Sequence, residues 1–499
     1  MKYFSYISYI ILITSCTFQK DKQLKYGSRE HNKYSLIQEK VINHYKNDEL
    51  KLQAAHYLIK NMPYHFSQEE YFLSSQGEKY RPDISLFNGK KAVKTHCDSL
   101  LRQGYRIKKQ KVYDISSLDS RFLINNIELA FEVWQKPWAR NISFNDFCRY
   151  ILPYRAQTEE ISNLRKEIKE RFLPILDSAK VNTPLEACIT LQKYLKDFIK
   201  YKDTGLSLYP TIDETYRSSI GLCDGLCNLG IFIMRAVGIP VTIDQTIWTK
   251  MDLGHVWCVV LDNGKFYSFD PEGQLPILHA QDFSEKRNLR PSKVYRNCFD
   301  SDLSIIDMDD DGYITYLKNP LIHDVTDEYL DKTTQIQVSI DKRNIKRGKS
   351  NQVYLCIYNY YEWHPIAIGQ RKDTVCYFDN VVGDNIFMIA DSPDGIGLRY
   401  ITAPFYSDKK GYTRKFIPQK EHKQIFIFNK RKNKSDQTHT LHYWDTDKTR
   451  FIPLKYISET DTTQTYDQIP KNALLWYTVP EKIINQRILF IENDSLKRY

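Results

Sequence analysis

The stretch GLCDGLCNLGIFIMRAVGIP, Gly221 to Pro240, constrains this chain more than any other. Apolar residues recur at helical spacing behind Cys223, so a helix is predicted from Cys223 to about Val237. Gly238 suits the left-handed residue that caps a helix end, and Pro240 forbids continuation because it lacks an N–H. Beyond Pro240 the period changes to two. Val241 to Trp248, His255 to Leu261 and Lys265 to Phe269 read as strands, with Asn263-Gly264 a hairpin turn between the last two. A helix that opens on a cysteine and feeds an antiparallel sheet is thus the nucleus of the fold.

The two cysteines of this helix, Cys223 and Cys227, lie one turn apart on one face. A metal clip, a disulfide half, core packing and a nucleophile are the competing readings. A nucleophilic thiol needs its pKa lowered, and a helix N-terminus favours a thiolate and offers N–H groups to an oxyanion. It also needs a base, and Gly254-His255-Val256-Trp257 sets a histidine on the second strand. Asp270, in Phe269-Asp270-Pro271-Glu272, follows the next strand, where antiparallel pairing brings it beside His255. Cys223 as nucleophile, His255 as base and Asp270 as orienter make a complete triad. The spacing of the two cysteines matches metal knuckles poorly, and a disulfide within one helical turn would be strained. Cys227 and Cys258 are expected to pack in the core. Trp248 is expected to border the substrate cleft, with the loop Thr249 to Gly254, and Trp257 to pack in the core or wall the cleft beside His255. The backbone N–H of Cys223 is one oxyanion donor; Tyr201, Tyr209 and Tyr216 are candidates for the second.

The segment from about Leu191 to Glu272 resembles the transglutaminase-like superfamily. The matching elements are Gly221, Cys223, Arg235-Ala236-Val237-Gly238-Ile239-Pro240, His255-Val256-Trp257 and Asp270-Pro271, with YLKDFIKY and TIDETYRSS ahead of them. The resemblance implies a papain-like α+β core in which Cys223, His255 and Asp270 cleave or exchange amide bonds through a thioester. It implies no cofactor, and a peptide, protein or glycopeptide substrate.

The N-terminus, MKYFSYISYIILITSC, has one basic residue, an apolar run too short to span a bilayer, and small residues before Cys16. It reads as a lipoprotein signal with Cys16 as the lipidated residue; an ordinary secretory signal is the alternative. Together with the helical region and the C-terminal strands, this pattern resembles exported lipoproteins of Bacteroidetes-type bacteria. The implied location is the bacterial cell envelope, lipid-anchored at the outer membrane.

At 499 residues the chain exceeds one hydrophobic core. The expected architecture is multidomain α+β. A signal peptide covers 1–16, a helical domain 17–170 and the transglutaminase-like core 171–330. Two β-sandwich modules follow at 331–428 and 429–499, joined by the basic stretch 429–437. A weak repeat relates Trp363 to Phe387 with Phe451 to Leu474. The net charge of +10 is dispersed rather than clustered, which excludes a nucleic-acid partner. Arg155, in Ile-Leu-Pro-Tyr-Arg, is expected to form an interdomain salt bridge. Asp307, Asp309 and Asp311 fit the first half of a calcium loop, but Lys318 stands where a glutamate is wanted. A solvated acidic turn is the alternative.

Two functions follow from the sequence. The first is an exported cysteine enzyme acting on amide bonds, with hydrolysis favoured. The second is a non-catalytic surface protein whose β-modules bind glycan or protein, with Tyr360, Tyr361, Trp363, Tyr443 and Trp444 available to stack on sugars.

Overall fold

The computed structural model describes residues 28–201, 208–249, 254–278, 291–305, 311–330, 333–345, 350–429, 440–478 and 487–499. Cys16 and the signal segment, Asp307, Asp309 and residues 430–437 lie outside these.

Helices α1 (Ser28–Tyr45), α2 (Glu49–Asn61), α3 (Lys90–Arg102), α4 (Asp114–Ser117), α5 (Ser120–Trp134) and α6 (Phe144–Tyr150) build the amino-terminal region. Asp48, Asp119 and Ser143 start α2, α5 and α6 by accepting a bond from a first-turn amide. Val41, Leu58, Ile127 and Phe147 are fully buried in its core. The region is not purely helical. Strands β1 (Phe66–Leu73), β2 (Lys79–Tyr80) and β3 (Arg106–Tyr113) form an antiparallel sheet in the order β2-β1-β3. β3 reads RIKKQKVY and is an edge strand, so charge masks its alternation. Arg155 does not bridge domains: it pairs with Asp114 of the same region at 2.6 Å, and both side chains are buried.

The core follows. Helices α7 (Arg165–Ala179), α8 (Pro184–Phe198), α9 (Ile212–Ser218) and α10 (Cys223–Ala236) accompany a six-stranded sheet. Thr183 with Glu186, and Thr211 with Glu214, make reciprocal capping boxes at α8 and α9. A short parallel pair, β4 (Lys200–Tyr201) and β5 (Ile220–Gly221), precedes α10. The sheet comprises β6 (Val241–Ile247), β7 (Gly254–Asp262), β8 (Lys265–Phe269), β9 (Ile277–Leu278), β10 (Tyr295–Asn297) and β11 (Ile322–Asp324). Its order is β11-β10-β6-β7-β8-β9. Leu226, Leu229 and Ile233 of α10 pack with Val256, Cys258, Val260 and Phe269 of the sheet. At the end of α10, Arg235 donates to the Val241 carbonyl (2.9 Å) and to the Arg155 carbonyl (2.6 Å), tying the helix to β6 and to the amino-terminal region.

Among the described residues the carboxy-terminal half is built of strands, with one 3-10 turn at Lys342–Asn344. The first module is one eight-stranded sheet. It contains β12 (Thr334–Ser339), β13 (Gln352–Asn359), β14 (Glu362–Lys372), β15 (Val375–Val381), β16 (Asn385–Asp391), β17 (Arg399–Tyr400), β18 (Phe405–Ser407) and β19 (Thr413–Lys415). The sheet curls until its ends meet: Lys415 on β19 donates to the Ser339 carbonyl on β12 (2.6 Å). Ile336, Leu355, Ile389 and Phe405 form one apolar layer of this sheet. Tyr354, Tyr358 and Met388 belong to another, shared with Trp444, Leu474 and Phe490 of the second module. That module is a sandwich. Its strands are β20 (Gln419–Asn429), β21 (Thr440–Asp445), β22 (Arg450–Pro453), β23 (Ser458–Glu459), β24 (Thr463–Lys471), β25 (Leu475–Thr478), β26 (Ile488–Glu492) and β27 (Ser495–Arg498). They form sheets β20-β24-β23 and β22-β21-β25-β26-β27. Between the sheets lie Phe428, Leu441, Tyr466 and Leu489.

Candidate active site

α10 begins at Cys223 with no side-chain cap from Leu222. Leu222 thus offers the first-turn amides no side-chain acceptor, and the Gly225 amide donates instead to Asp224 (3.0 Å). The half-buried Cys223 thiol is pushed up to about 11, chiefly by burial. The Asp224 amide pulls it down, while the Glu272 and Asp270 carboxylates add to the rise. The helix terminus was expected to lower this thiol, but desolvation outweighs it. The resting group is a neutral thiol. Among the described residues no hydrogen bond joins it to His255.

His255 enters β7 opposite Thr246, and Asp270 leaves β8 one residue after Phe269 pairs with Cys258. That register brings His255 Nε2 to 3.8 Å from Asp270 Oδ1, with the side chains 36% and 34% exposed. The Asp270 turn is fixed from α8. Gln192, fully buried, donates Nε2 to the carbonyls of Asp270 (2.9 Å), Gly273 (3.1 Å) and Gln274 (3.1 Å). It is fixed from α10 as well. A Cβ on Gly230 would lie 2.6 Å from Pro271 Cγ, so only glycine lets the helix approach the turn this closely.

The imidazole is backed by aromatic rings. Trp248 and Trp257 stack on it at 5.9 and 5.6 Å, and both are buried. They back the histidine rather than lie open beside it. Trp257 Nε1 donates to the Tyr329 hydroxyl (2.8 Å), which donates to Asp244 (2.5 Å). Arg296 holds both oxygens of Asp244 at 2.9 and 2.8 Å. Trp248 is held from the carboxy-terminal half: Asn359 Nδ2 donates to its carbonyl at 2.8 Å. Arg487 donates to the carbonyls of Thr249 and Tyr358.

Cys227 is buried and directs Sγ to the Val256 carbonyl at 3.6 Å. The candidate second oxyanion donors separate. Tyr216 is engaged by Arg171 at 3.0 Å. Tyr201 is exposed and pairs with Gly221, two residues before Cys223. Tyr209 packs over Gly225. Asp311 meets the Lys318 ammonium (2.6 Å) and the Tyr354 hydroxyl (2.9 Å), so an internal cation occupies the carboxylate read as a calcium ligand. Trp363 and Trp444 are buried between the modules and cannot stack on a sugar; Tyr360, Tyr361 and Tyr443 are partly exposed.

Four residues of this neighbourhood were not read as functional in the sequence: Gln192, Asp224, Asn359 and Arg487. Only Gln192 left a local signal, a polar side chain on the apolar face of α8 beside Cys188, Leu191 and Leu195.

A helix that opens on a thiol, beside a strand histidine and a carboxylate on the next strand, defines a papain-like cysteine arrangement. Residues 176–271 match the model of the transglutaminase-like superfamily, and this segment is a transglutaminase-like domain. A solved structure from Cytophaga hutchinsonii, provisionally described as a cysteine protease, is 16% identical over 32% of this chain, with a TM-score of 0.19. The match spans 57% of that protein's length. No curated protein matches the chain.

Proposed function

We propose that this protein is an exported, lipid-anchored cysteine enzyme of the cell envelope that acts on amide bonds of peptides, proteins or glycopeptides. The observation that carries this reading is the approach of His255 Nε2 to Asp270 Oδ1, 3.8 Å, within a transglutaminase-like domain whose helix opens on Cys223. With Nε2 turned to Asp270, Nδ1 is the nitrogen that takes the thiol proton. Because the resting thiol is neutral, the proton moves as Sγ attacks the carbonyl carbon. The carbonyl π pair passes to oxygen, beside the Cys223 N–H. The C–N bond then breaks, His255 returns the proton to the leaving amine, and a thioester remains. Water or a second amine attacks the thioester, and the thiol is restored. Hydrolysis is favoured because the imidazole and carboxylate are each about one-third exposed and water reaches them. The lipid anchor at Cys16 rests on the N-terminal sequence alone.

The test is hydroxamate formation. Peptide primary amides are mixed with the full chain and hydroxylamine, which intercepts a thioester. Hydroxamate from wild type and none from Cys223→Ala is the expected result. Equal hydroxamate from both, or none from wild type across a broad peptide and glycopeptide set, overturns the reading.

A further inference from the structure

A second feature adjoins the first turns of α10. Asp224, Gly225 and Asn228 share a helix face next to the one carrying Cys223 and Cys227. They line a cavity of about 130 Å³ whose lining does not include Cys223, His255 or Asp270. The cavity is acidic. Glu70, Glu159, Glu160 and Asp224 line it against one lysine, Lys109. Three of these carboxylates are already engaged. Glu70 holds Lys109 at 2.5 Å, Glu159 accepts from the amides of Ala156 and Gln157 (2.5 and 2.7 Å), and Glu160 meets Arg81 at 3.8 Å.

Asp224 differs. Among the described residues its carboxylate has no cation and meets only backbone amides, that of Gly225 at 3.0 Å and its own. Burial pushes its pKa up to about 6. Four lining residues hold a buried polar atom with no partner among the described residues: Asn228 Oδ1, the Tyr209 hydroxyl, Asn297 Nδ2 and His65 Nδ1. Asn228 is 7% exposed. Buried polar atoms are normally bonded, so the unpartnered atoms on this cavity call for a ligand. Asp224, Asn228 Oδ1 and the Tyr209 oxygen can each accept, and Asn297 Nδ2 is left as a donor for a carbonyl of the ligand. A primary ammonium has three N–H donors and no acceptor.

We propose that this cavity binds a primary ammonium group through Asp224, Asn228 and Tyr209. The ammonium is an N-terminus or the side-chain amine of a diamino acid. That it belongs to the substrate rests on Cys223 being the nucleophile; the binding itself does not.

The experiment is calorimetry on the full chain carrying Cys223→Ala, so that nothing is turned over. The probes are the dipeptide Gly-Lys, its α-acetyl form, its side-chain acetyl form and the doubly acetylated form. The doubly acetylated form should bind at least about tenfold more weakly, roughly 1.4 kcal/mol. Whichever single acetylation causes that loss identifies the amine. Asp224→Asn should weaken Gly-Lys by a similar factor. Asn228→Asp adds a carboxylate at unchanged size and should tighten it, which decides the matter should Asp224→Asn fold poorly. Equal binding of free and doubly acetylated dipeptide, or no tightening in Asn228→Asp, overturns the proposal, and the cavity then holds water only. Hydroxamate formation reports on the catalytic reading separately, so either can fail alone.

Discussion

Asp114 and Asp270 each face a nitrogen group, Arg155 and His255, and they are held in opposite ways. Asp114 meets Arg155 at 2.6 Å with both side chains at most 1% exposed. Tyr154 adds a second bond to Asp114 (2.9 Å), and Arg155 also donates to the Phe66 carbonyl (2.6 Å) and Ser67 (3.1 Å). Asp270 stands 3.8 Å from a histidine, and a third of each side chain meets solvent. The first pair is dry, short and multiply bonded, and nothing can enter it. The second leaves room for a proton to move and a substrate to arrive. The difference separates a contact that holds the fold from one suited to chemistry.

The largest expected effects test that separation directly. His255→Ala should lower kcat for hydroxamate formation about 10²–10⁴-fold, the usual worth of a general base. Its unfolding free energy should stay within about 1 kcal/mol of wild type, because the side chain is partly exposed. Arg155→Ala should do the reverse. It leaves Asp114, which burial already pushes up to about 6, without the cation that favours its charged form, so the carboxyl must take a proton or stay charged and unpaired, a loss of about 3–5 kcal/mol. Urea unfolding followed by circular dichroism reads both. A large stability loss in His255→Ala, or a small one in Arg155→Ala, breaks the comparison.

The next effect concerns the thiol. Burial raises Cys223 from its ordinary value of 9.0 to about 11. At pH 7 that leaves about 100-fold fewer thiolates, partly offset by their higher nucleophilicity, so alkylation should run about tenfold slower than at an ordinary thiol. The iodoacetamide rate at Cys223, read by peptide mass spectrometry, should keep climbing with pH beyond 9. Glu272→Gln removes a carboxylate that disfavours the thiolate, so it should lower the thiol pKa and speed labelling at pH 7 about two- to threefold. Fast labelling with a plateau near neutrality would instead indicate a preformed thiolate–imidazolium pair.

How much of this was legible depended on the range of the interaction involved. α10 is expected from Cys223 to about Val237 and runs Cys223–Ala236, because its boundaries are written locally in Gly238 and Pro240. The hairpin that carries His255 toward Asp270 is likewise local: Asn263 (φ 49) and Gly264 (φ 71) take the left-handed conformations that the turn requires. What could not be read are contacts between distant segments. Arg155 finds Asp114 across a sheet hidden by the charges of β3. The Trp248–Thr249 carbonyls are met by Asn359 and Arg487, more than a hundred residues away, and no periodicity announces such a pair. The internal repeat fails in topology: β14 and β15 are neighbours in one sheet, whereas β22 and β24 lie in different sheets. The direction of the Cys223 shift also depended on burial, which the helix start alone does not reveal.

The smallest expected effect is the most discriminating, because it separates positioning from stability at one residue. Gln192 reaches the Asp270 turn with Nε2, but its Oε1 is buried without a partner. Leucine at this position removes both the donor and the unpaired acceptor. Two of the three carbonyls keep another role in the turn, since Gly273 N donates to Asp270 O and Asp270 N donates to Gln274 O, each at 3.1 Å. The lost bonds and the relieved desolvation therefore nearly cancel, and Gln192→Leu should change stability by less than about 1 kcal/mol. The turn loses its anchor to α8, so Asp270 is less firmly set beside His255. kcat should fall about five- to tenfold with KM little changed, the signature of a defect expressed in the transition state. Gln192→Glu would give the wrong partner, an acceptor facing three carbonyls, and should be worse on both counts. If Gln192→Leu loses stability without losing kcat, the glutamine serves packing, and the Asp270 turn is held by Pro271 against Gly230 alone.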